Sequence, residues 1–229
     1  MRKTLYFLLD LLLLRTWHVK KALRKIAREF SGEASVLDAG SGFGQHSWRI
    51  CKMNTRWNIK AIDINSEQIE DCNRFFGKTG LSDRVTFHTG DLTALADINR
   101  YNIILSVDVM EHIEQDVIVF QNFYKSLKSN GILLISTPSD KGGSDVHNNK
   151  EESFIDEHVR DGYSIKDITE KLSLAGFRNI EAGYTYGKPG NISWLLSMKY
   201  PVKMLNVSYL FFILLPLSPQ LSDVANFVS

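Results

Sequence analysis

Val36-Leu37-Asp38-Ala39-Gly40-Ser41-Gly42-Phe43-Gly44-Gln45-His46 passes from an apolar, β-prone run through three alternating glycines into a helical pattern. Glycines between a strand and a helix let the backbone approach a ligand and aim N–H groups at it. Downstream, short apolar runs at 35–38, 58–63, 85–89, 102–107 and 131–136 alternate with helical patterns near 46–53, 66–79 and 116–128. Alternation of this kind predicts an α/β, doubly wound Rossmann-like domain with a mostly parallel sheet, helices on both faces and right-handed crossovers. In that architecture ligands bind beyond the carboxyl ends of the strands, near the point where strand order reverses.

Composition sets the scale. The chain has 229 residues, 44% of them hydrophobic, and its two cysteines, Cys51 and Cys72, form neither a disulfide framework nor a metal-ligand pair. One ordinary domain follows, with reduced core cysteines as in a cytosolic protein. The formal net charge of +1 conceals a division: residues 1–28 sum to +7, residues 29–190 to −7 and residues 191–229 to +1. An acidic body argues against nucleic acid as a partner, whereas a basic end beside apolar residues suits an anionic surface.

Three segments follow: a basic amphipathic helical segment at 1–30, a ligand-binding domain at 31–190 and an apolar extension at 191–229. The run 5–14, Leu-Tyr-Phe-Leu-Leu-Asp-Leu-Leu-Leu-Leu, is too short to span a bilayer and is followed by no signal-peptide cleavage pattern. Over 15–30, Trp17, Leu23, Ile26, Ala27 and Phe30 recur near helical spacing with basic residues between them. That helix can pack on the domain, or it can rest among lipid headgroups as a peripheral membrane contact at the inner face of the membrane. The apolar stretch 209–217, interrupted by Pro216, suits a homodimer interface, a cover over a greasy pocket, membrane contact or burial in the monomer.

The polar signal concentrates at the strand ends: Asp38 before the glycines, Asp63 after the second strand, Gly90-Asp91 after the third, and Ser106-Val107-Asp108-Val109-Met110-Glu111-His112 after the fourth. Acids there favour a ligand with cationic groups and ribose hydroxyls over one with a pyrophosphate. A dinucleotide site asks for G-x-G-x-x-G, but here the glycines read G-x-G-x-G and Gln45 stands where the third dinucleotide glycine would fall.

From Val36 to about Phe177 the chain resembles the class I S-adenosylmethionine-dependent methyltransferases, through the residues just quoted together with 127–136 and Leu174-Ala-Gly-Phe177. The resemblance implies S-adenosylmethionine as cofactor. Asp38, Gly40, Gly42 and Gly44 would face its methionine part, Asp63 its ribose hydroxyls, Gly90, Asp91 and Leu92 its adenine, and Val107 and Asp108 would contribute backbone beneath the reacting centre. Gln45 and Ile64, beside these motifs, join the cofactor-binding set. The Glu111-His112 pair and the helix containing Gln68 resemble the branch that methylates small molecules, quinones and lipids, so the implied acceptor is small and hydrophobic, methylated on O, C or N. The family sheet ordinarily closes with a hairpin; 179–186 is read as a sixth strand, with only the apolar tail to follow it.

Methyl transfer from a sulfonium is an in-line displacement in which alignment contributes up to about 7–11 kcal/mol. No metal is required, and His46, His88, His112, His147 and His158 have no ligand spacing. If the acceptor must lose a proton, a histidine is suited to take it. His112, after the fourth strand, and His158 and Tyr163, within the long segment 141–163, are the catalytic candidates, with Arg160 as a substrate contact. Asp161 or Ser164 reads as the cap of a helix beginning near Ile165. Phe43, Trp48 and Met110 read as packing. Two alternatives stand beside the enzyme: a catalytically silent methyltransferase-fold module that binds a membrane or a partner, and an NAD-dependent dehydrogenase.

Overall fold

The computed structural model describes residues 2–12, 14–30, 32–140, 159–160 and 162–185. His158, Asp161, the rest of 141–158 and the extension 191–229 lie outside the described residues. Strands β1 (Ala34–Ala39), β2 (Trp57–Asp63), β3 (Val85–Thr89), β4 (Tyr101–Val107) and β5 (Leu127–Ser136) form one sheet in the order β3-β2-β1-β4-β5. Every ladder is parallel, and Val36 sits between Ile59 on one side and Ile103 on the other. The order reverses between β1 and β4, so the loops after these two strands part there.

Parallel strands covered on both faces read as near-continuous apolar runs, and the period of two divides each run between two cores. Val36, Ile59, Ala61, Ile103 and Leu105 meet α2 (Leu14–Glu29), α3 (Gln45–Met53) and α4 (Ser66–Lys78). Leu37, Ala39, Ile104, Leu133 and Ile135 meet α5 (Asp116–Ser126) and α6 (Ile165–Ala175). Side-chain caps set two of these helix starts: Asn65 Oδ1 accepts from the Gln68 N–H at 3.0 Å, and Ser164 Oγ from the Asp167 N–H at 3.0 Å. Between the two capping readings for the last helix, Ser164 is the one that acts.

The chain begins with a helix of its own, α1 (Arg2–Leu12), followed by α2. Val19, Ala22, Leu23 and Ile26 of α2 are buried in the sheet core. Full burial of one such Leu or Ile is worth about 1.5–3 kcal/mol, so this stripe is committed to the domain. Of the two readings of this helix, packing on the domain is the one its apolar face takes. Trp17, which the helical spacing grouped with the stripe, is 38% exposed and donates from Nε1 to the Asp10 carbonyl at 2.9 Å. No helix among the described residues is long and apolar enough to cross a membrane.

Two further expectations change. The described part of the proposed sixth strand, 179–185, is not a strand: a strand needs a ladder partner, and among the described residues β5 pairs only with β4. Residues 127–130, read as a helix end and turn, already belong to β5, with Leu127 beside Tyr101 and Asn130 in the left-handed region at φ 59°. The ladder shifts register between Tyr101 and Ile103, which accommodates that bend.

Because Leu23 is fully buried, Leu23→Ala is expected to lower the free energy of unfolding by about 2–5 kcal/mol in urea denaturation. A loss below about 0.5 kcal/mol, the range of exposed positions, would show that α2 does not hold the core.

Candidate active site

A cavity of about 810 Å³ opens at the carboxyl ends of β1, β2 and β4. Its walls bring together Gly40, Gly42, Gln45, Asp63, Ile64, Gly90, Asp91, Leu92, Val107 and Asp108, along with His112. Ten of the twelve residues expected to bind the cofactor therefore share one concavity, although 68 positions separate the first from the last. Ser41, Phe43, Asn65, Gln68, Val109 and Ile113 line it too. Phe43, read as packing, is 37% exposed on the cavity wall, while Met110 is buried in the core as expected.

The glycine loop is held by main-chain bonds. Gly40 N–H and Ser41 N–H both donate to the Ile62 carbonyl, at 2.8 and 3.0 Å, which ties the end of β1 to the end of β2. Gly40 has φ 79°, and a Cβ on it would lie 2.1 Å from Val109 Cγ2. Only glycine allows the loop to pass this close to the chain leaving β4. Gly44 serves packing rather than the cavity. A Cβ there would press on Cys72, Phe76 and Phe87 at 3.2 Å, the side chains between α3, α4 and β3.

The acids divide by environment. Asp63 stands at the wall with both oxygens engaged by main chain: Oδ2 accepts from Gly42 N–H at 2.7 Å and Oδ1 from Asn65 N–H at 2.9 Å. Asp91 Oδ1 accepts from Thr93 N–H at 2.8 Å and caps the 3-10 turn Leu92–Ala94. Asp108, left-handed at φ 56°, turns the chain out of β4 while its N–H donates to the Ser136 carbonyl at 2.9 Å. Asp38 differs: it does not reach the cavity but lies buried beneath the loop, accepting from Ser47 Oγ at 2.5 Å. Burial pushes its carboxyl up, against the opposing influence of His46 and the Ser47 hydrogen bonds. Its placement before the glycines did not disclose this depth, and its expected place facing the ligand is corrected.

Of the catalytic candidates, His112 is exposed on the cavity wall, on the 3-10 turn Met110–His112, with its N–H donating to the Val109 carbonyl at 3.0 Å. Tyr163 is corrected. It is buried, and its hydroxyl donates to Asp116 Oδ2 at 2.7 Å and to the Met110 carbonyl at 3.1 Å. Desolvation raises the phenol well above its usual range, and the hydrogen bond to Asp116 raises it further. Arg160 is spent on the same cluster: it pairs with Asp116 and donates to the Ile113 carbonyl at 2.6 Å. Lys171 Nζ completes it at 2.8 Å from Asp116. Burial alone would raise Asp116; hydrogen bonds from Lys171 and Tyr163 and the charge of Arg160 hold it below the ordinary carboxylate value. This cluster ties Arg160 and Tyr163 to the turn after β4 and to α6.

Support from α1 was not foreseen. Tyr6 is buried, its hydroxyl donates to the Phe43 carbonyl at 2.5 Å, and its ring packs on Phe43, Trp48 and Phe75. Arg2 donates to the same carbonyl at 2.7 Å and pairs with Asp71 of α4 at 2.7 Å. Asp10 accepts from Gln45 Nε2 at 2.9 Å and pairs with Arg49. The available signal was the polar spacing of residues 2, 6 and 10 inside a leucine run.

Among the described residues no group of His, Cys, Asp and Glu could hold a metal ion, and both cysteines are free and buried. The residues do suit S-adenosylmethionine. Ser41 Oγ is buried at the cavity wall with no hydrogen-bond partner among the described residues, and a Cβ on Gly42 would stand 3.6 Å from Gln68 Oε1 in the space between the walls. An unmet hydroxyl, glycine backbone and strand-end carboxylates match the carboxylate, ammonium and ribose of that molecule.

A glycine loop at the switch point of a 3-2-1-4-5 parallel sheet, with acids at successive strand ends, defines a nucleoside-binding α/β transferase. A family model described as a methyltransferase domain matches residues 30–180, and the chain belongs to this family, the class I S-adenosylmethionine-dependent methyltransferases. That assignment displaces the dehydrogenase alternative. The malonyl-[acyl-carrier protein] O-methyltransferase of Priestia megaterium is 31% identical over 108 residues, covering 47% of this chain and 38% of that protein. The mitochondrial ubiquinone biosynthesis O-methyltransferase of Candida albicans is 26% identical over 104 residues, 45% of this chain and 32% of its own length. The matched part thus spans well under half of either relative. Among solved structures, a candidate sarcosine dimethylglycine methyltransferase from Galdieria sulphuraria superposes with a TM-score of 0.67 at 18% identity, covering 93% of this chain and 85% of that one, a likeness of fold.

If Tyr163 is structural, Tyr163→Phe should cost about 1–3 kcal/mol of stability for the buried hydrogen bonds it loses. Its affinity for S-adenosylhomocysteine by calorimetry and the pH profile of turnover should match the parent. A changed pH profile with unchanged stability would return Tyr163 to the catalytic set.

Proposed function

We propose that this chain transfers a methyl group from S-adenosylmethionine to an O, N or C atom of a small, hydrophobic acceptor. The observation that carries the reading is the convergence of the glycine loop, Asp63, Asp91 and His112 on one cavity. When bound, the cofactor supplies a methyl group already activated on a sulfonium. Asp63 receives the ribose hydroxyls; its carboxylate is pre-set by the Gly42 and Asn65 N–H groups, so little ordering remains to be done on binding. Gly90, Asp91 and Leu92 border the adenine, and the Ser41 hydroxyl, with the glycine loop packed close, faces the methionine end. Val107 and Asp108 form the floor beneath the reacting centre. Asp38, from below, props the loop through Ser47 rather than touching the ligand.

His112 is the proton acceptor in this scheme. It lies on the same wall as Val109 and Ile113, so an acceptor hydroxyl or acidic carbon in that corner meets a base on one side and apolar side chains on the other. Ile64, which is 76% exposed at the mouth, and Phe43 extend the apolar rim. The rim favours a lipid-like or quinone-like acceptor, in keeping with the relatives named for acyl-carrier-protein-linked malonyl and ubiquinone methylation. A cytoplasmic enzyme that draws an apolar acceptor from the inner face of a membrane fits these features together.

Two substitutions divide the roles. Asp63→Ala should weaken S-adenosylhomocysteine by tenfold or more in calorimetry, the loss of about 1.4 kcal/mol or more in charge-assisted hydrogen bonds. His112→Ala should leave that affinity unchanged and lower kcat on a phenolic or quinol acceptor by about 10²–10⁴-fold. Cofactor binding without turnover on any hydrophobic acceptor would instead support a silent binding module, and unchanged affinity in Asp63→Ala would contradict the cofactor site.

A further inference from the structure

Helix α1 is amphipathic in the reverse sense. Arg2, Tyr6 and Asp10, four residues apart, face the domain and bind the glycine loop, Asp71, Gln45 and Arg49. At 100° per residue, the opposite side of the helix carries positions 4, 5, 7, 8, 11 and 12, which are threonine, leucine, phenylalanine and three leucines. Of the described side chains there, Leu5 is 47% and Phe7 64% exposed. A surface helix in a soluble domain ordinarily turns such a stripe inward. Here the inward positions are occupied by hydrogen-bonding residues, and Leu5 and Phe7 stand out of the protein.

The next helix supplies the complement. With Val19, Ala22, Leu23 and Ile26 buried, the exposed stripe of α2 runs through Trp17, Lys21, Arg24 and Arg28, flanked by Lys25. Trp17, half out of the protein and bonded through Nε1 to the Asp10 carbonyl, joins this basic stripe to α1. An apolar helix face, an indole at its margin and a row of Lys and Arg are the components of interfacial attachment to anionic lipid. Charge distribution favours that occupant over a copy of the chain: residues 1–28 carry +7, so two such faces would repel, whereas the body at −7 turns any anionic surface toward this end.

We propose that the outward face of α1, with the basic stripe of α2, docks the protein on an anionic phospholipid surface. Docking leaves the α2 core stripe in place and uses residues that make none of the contacts to the cofactor cavity. The inference is independent of the acceptor's identity. Its link to the proposed activity is that an apolar acceptor would be met where it is dissolved.

The test uses the full chain and sedimentation with vesicles of phosphatidylcholine, alone or mixed with phosphatidylglycerol. Binding is expected only to the mixed vesicles and should weaken several-fold when salt is raised from low to physiological ionic strength, as screening of exposed charges requires. Leu5→Glu combined with Phe7→Glu should abolish it, and Lys21→Glu combined with Arg24→Glu should reduce it at least tenfold. Affinity of each variant for S-adenosylhomocysteine without vesicles, unchanged from the parent, shows that the fold and cavity survive and keeps this test separate from that of the methyltransferase reading. Equal binding to neutral vesicles, binding that survives Leu5→Glu with Phe7→Glu, or no binding by the parent would overturn the proposal. A dimer in light scattering that Phe7→Glu dissolves would overturn it too, assigning the face to a second copy.

Discussion

The Ile62 carbonyl accepts two N–H groups, from Gly40 and Ser41, and the geometry of the site depends on that junction. It locks the end of β1 to the end of β2 just where the two strands stop pairing, so the glycine loop leaves the sheet at a defined angle. Gly42 N–H is then delivered to Asp63 and the Gly40 backbone against Val109. Three strand ends are brought into one cavity by main-chain constraints, which cost no side-chain entropy. The acids therefore do not need to be aimed individually. Their positions follow from which strand they end and from the order β3-β2-β1-β4-β5.

That dependence explains what could be read from residues alone. Buried parallel strands are written as apolar runs, and a ligand loop at a strand end is written as glycines and acids, so the sheet, the switch point and ten cavity residues were legible. Burial depth was not. Asp38 and Asp63 are both acids at strand ends, yet one is sealed under the loop and the other stands on the wall, because β1 is central and its end is roofed by α3 through Ser47. Tyr163 misled for a related reason: a polar cluster in a long loop resembles a substrate contact, but Asp116, Arg160 and Lys171 make it a self-contained buried network. The sixth strand was misread because the described residues 179–185 do not pair with the outer edge of β5, and propensity alone does not make a strand.

Charge acquires a spatial meaning in the fold. The acidic body holds its ligand-facing carboxylates at the cavity, while basic residues gather on the exposed stripe of α2. The near-neutral total is the sum of an acidic body and a basic amino-terminal helix pair. Val19, Ala22, Leu23 and Ile26 have a conventional destination in the core beneath α2, and this isolates α1 as the exception: among its described side chains Tyr6 is buried while Leu5 and Phe7 are exposed.

The reversed polarity of α1 also bears on the order in which the molecule assembles. Apart from the Trp17 bond to Asp10, its hydrogen bonds to other elements among the described residues reach partners 35 to 70 residues along the chain, on the glycine loop, α3 and α4. Those partners come together only when β1 and β2 have paired and α3 and α4 have closed over them, so these contacts of α1 are non-local ones. Its described side chains hold it by polar contacts and the ring of Tyr6. The cavity wall formed by Phe43 and Gln45 is therefore backed from outside by α1, which makes the amino-terminal helix a structural part of a site that lies wholly downstream of it in the sequence.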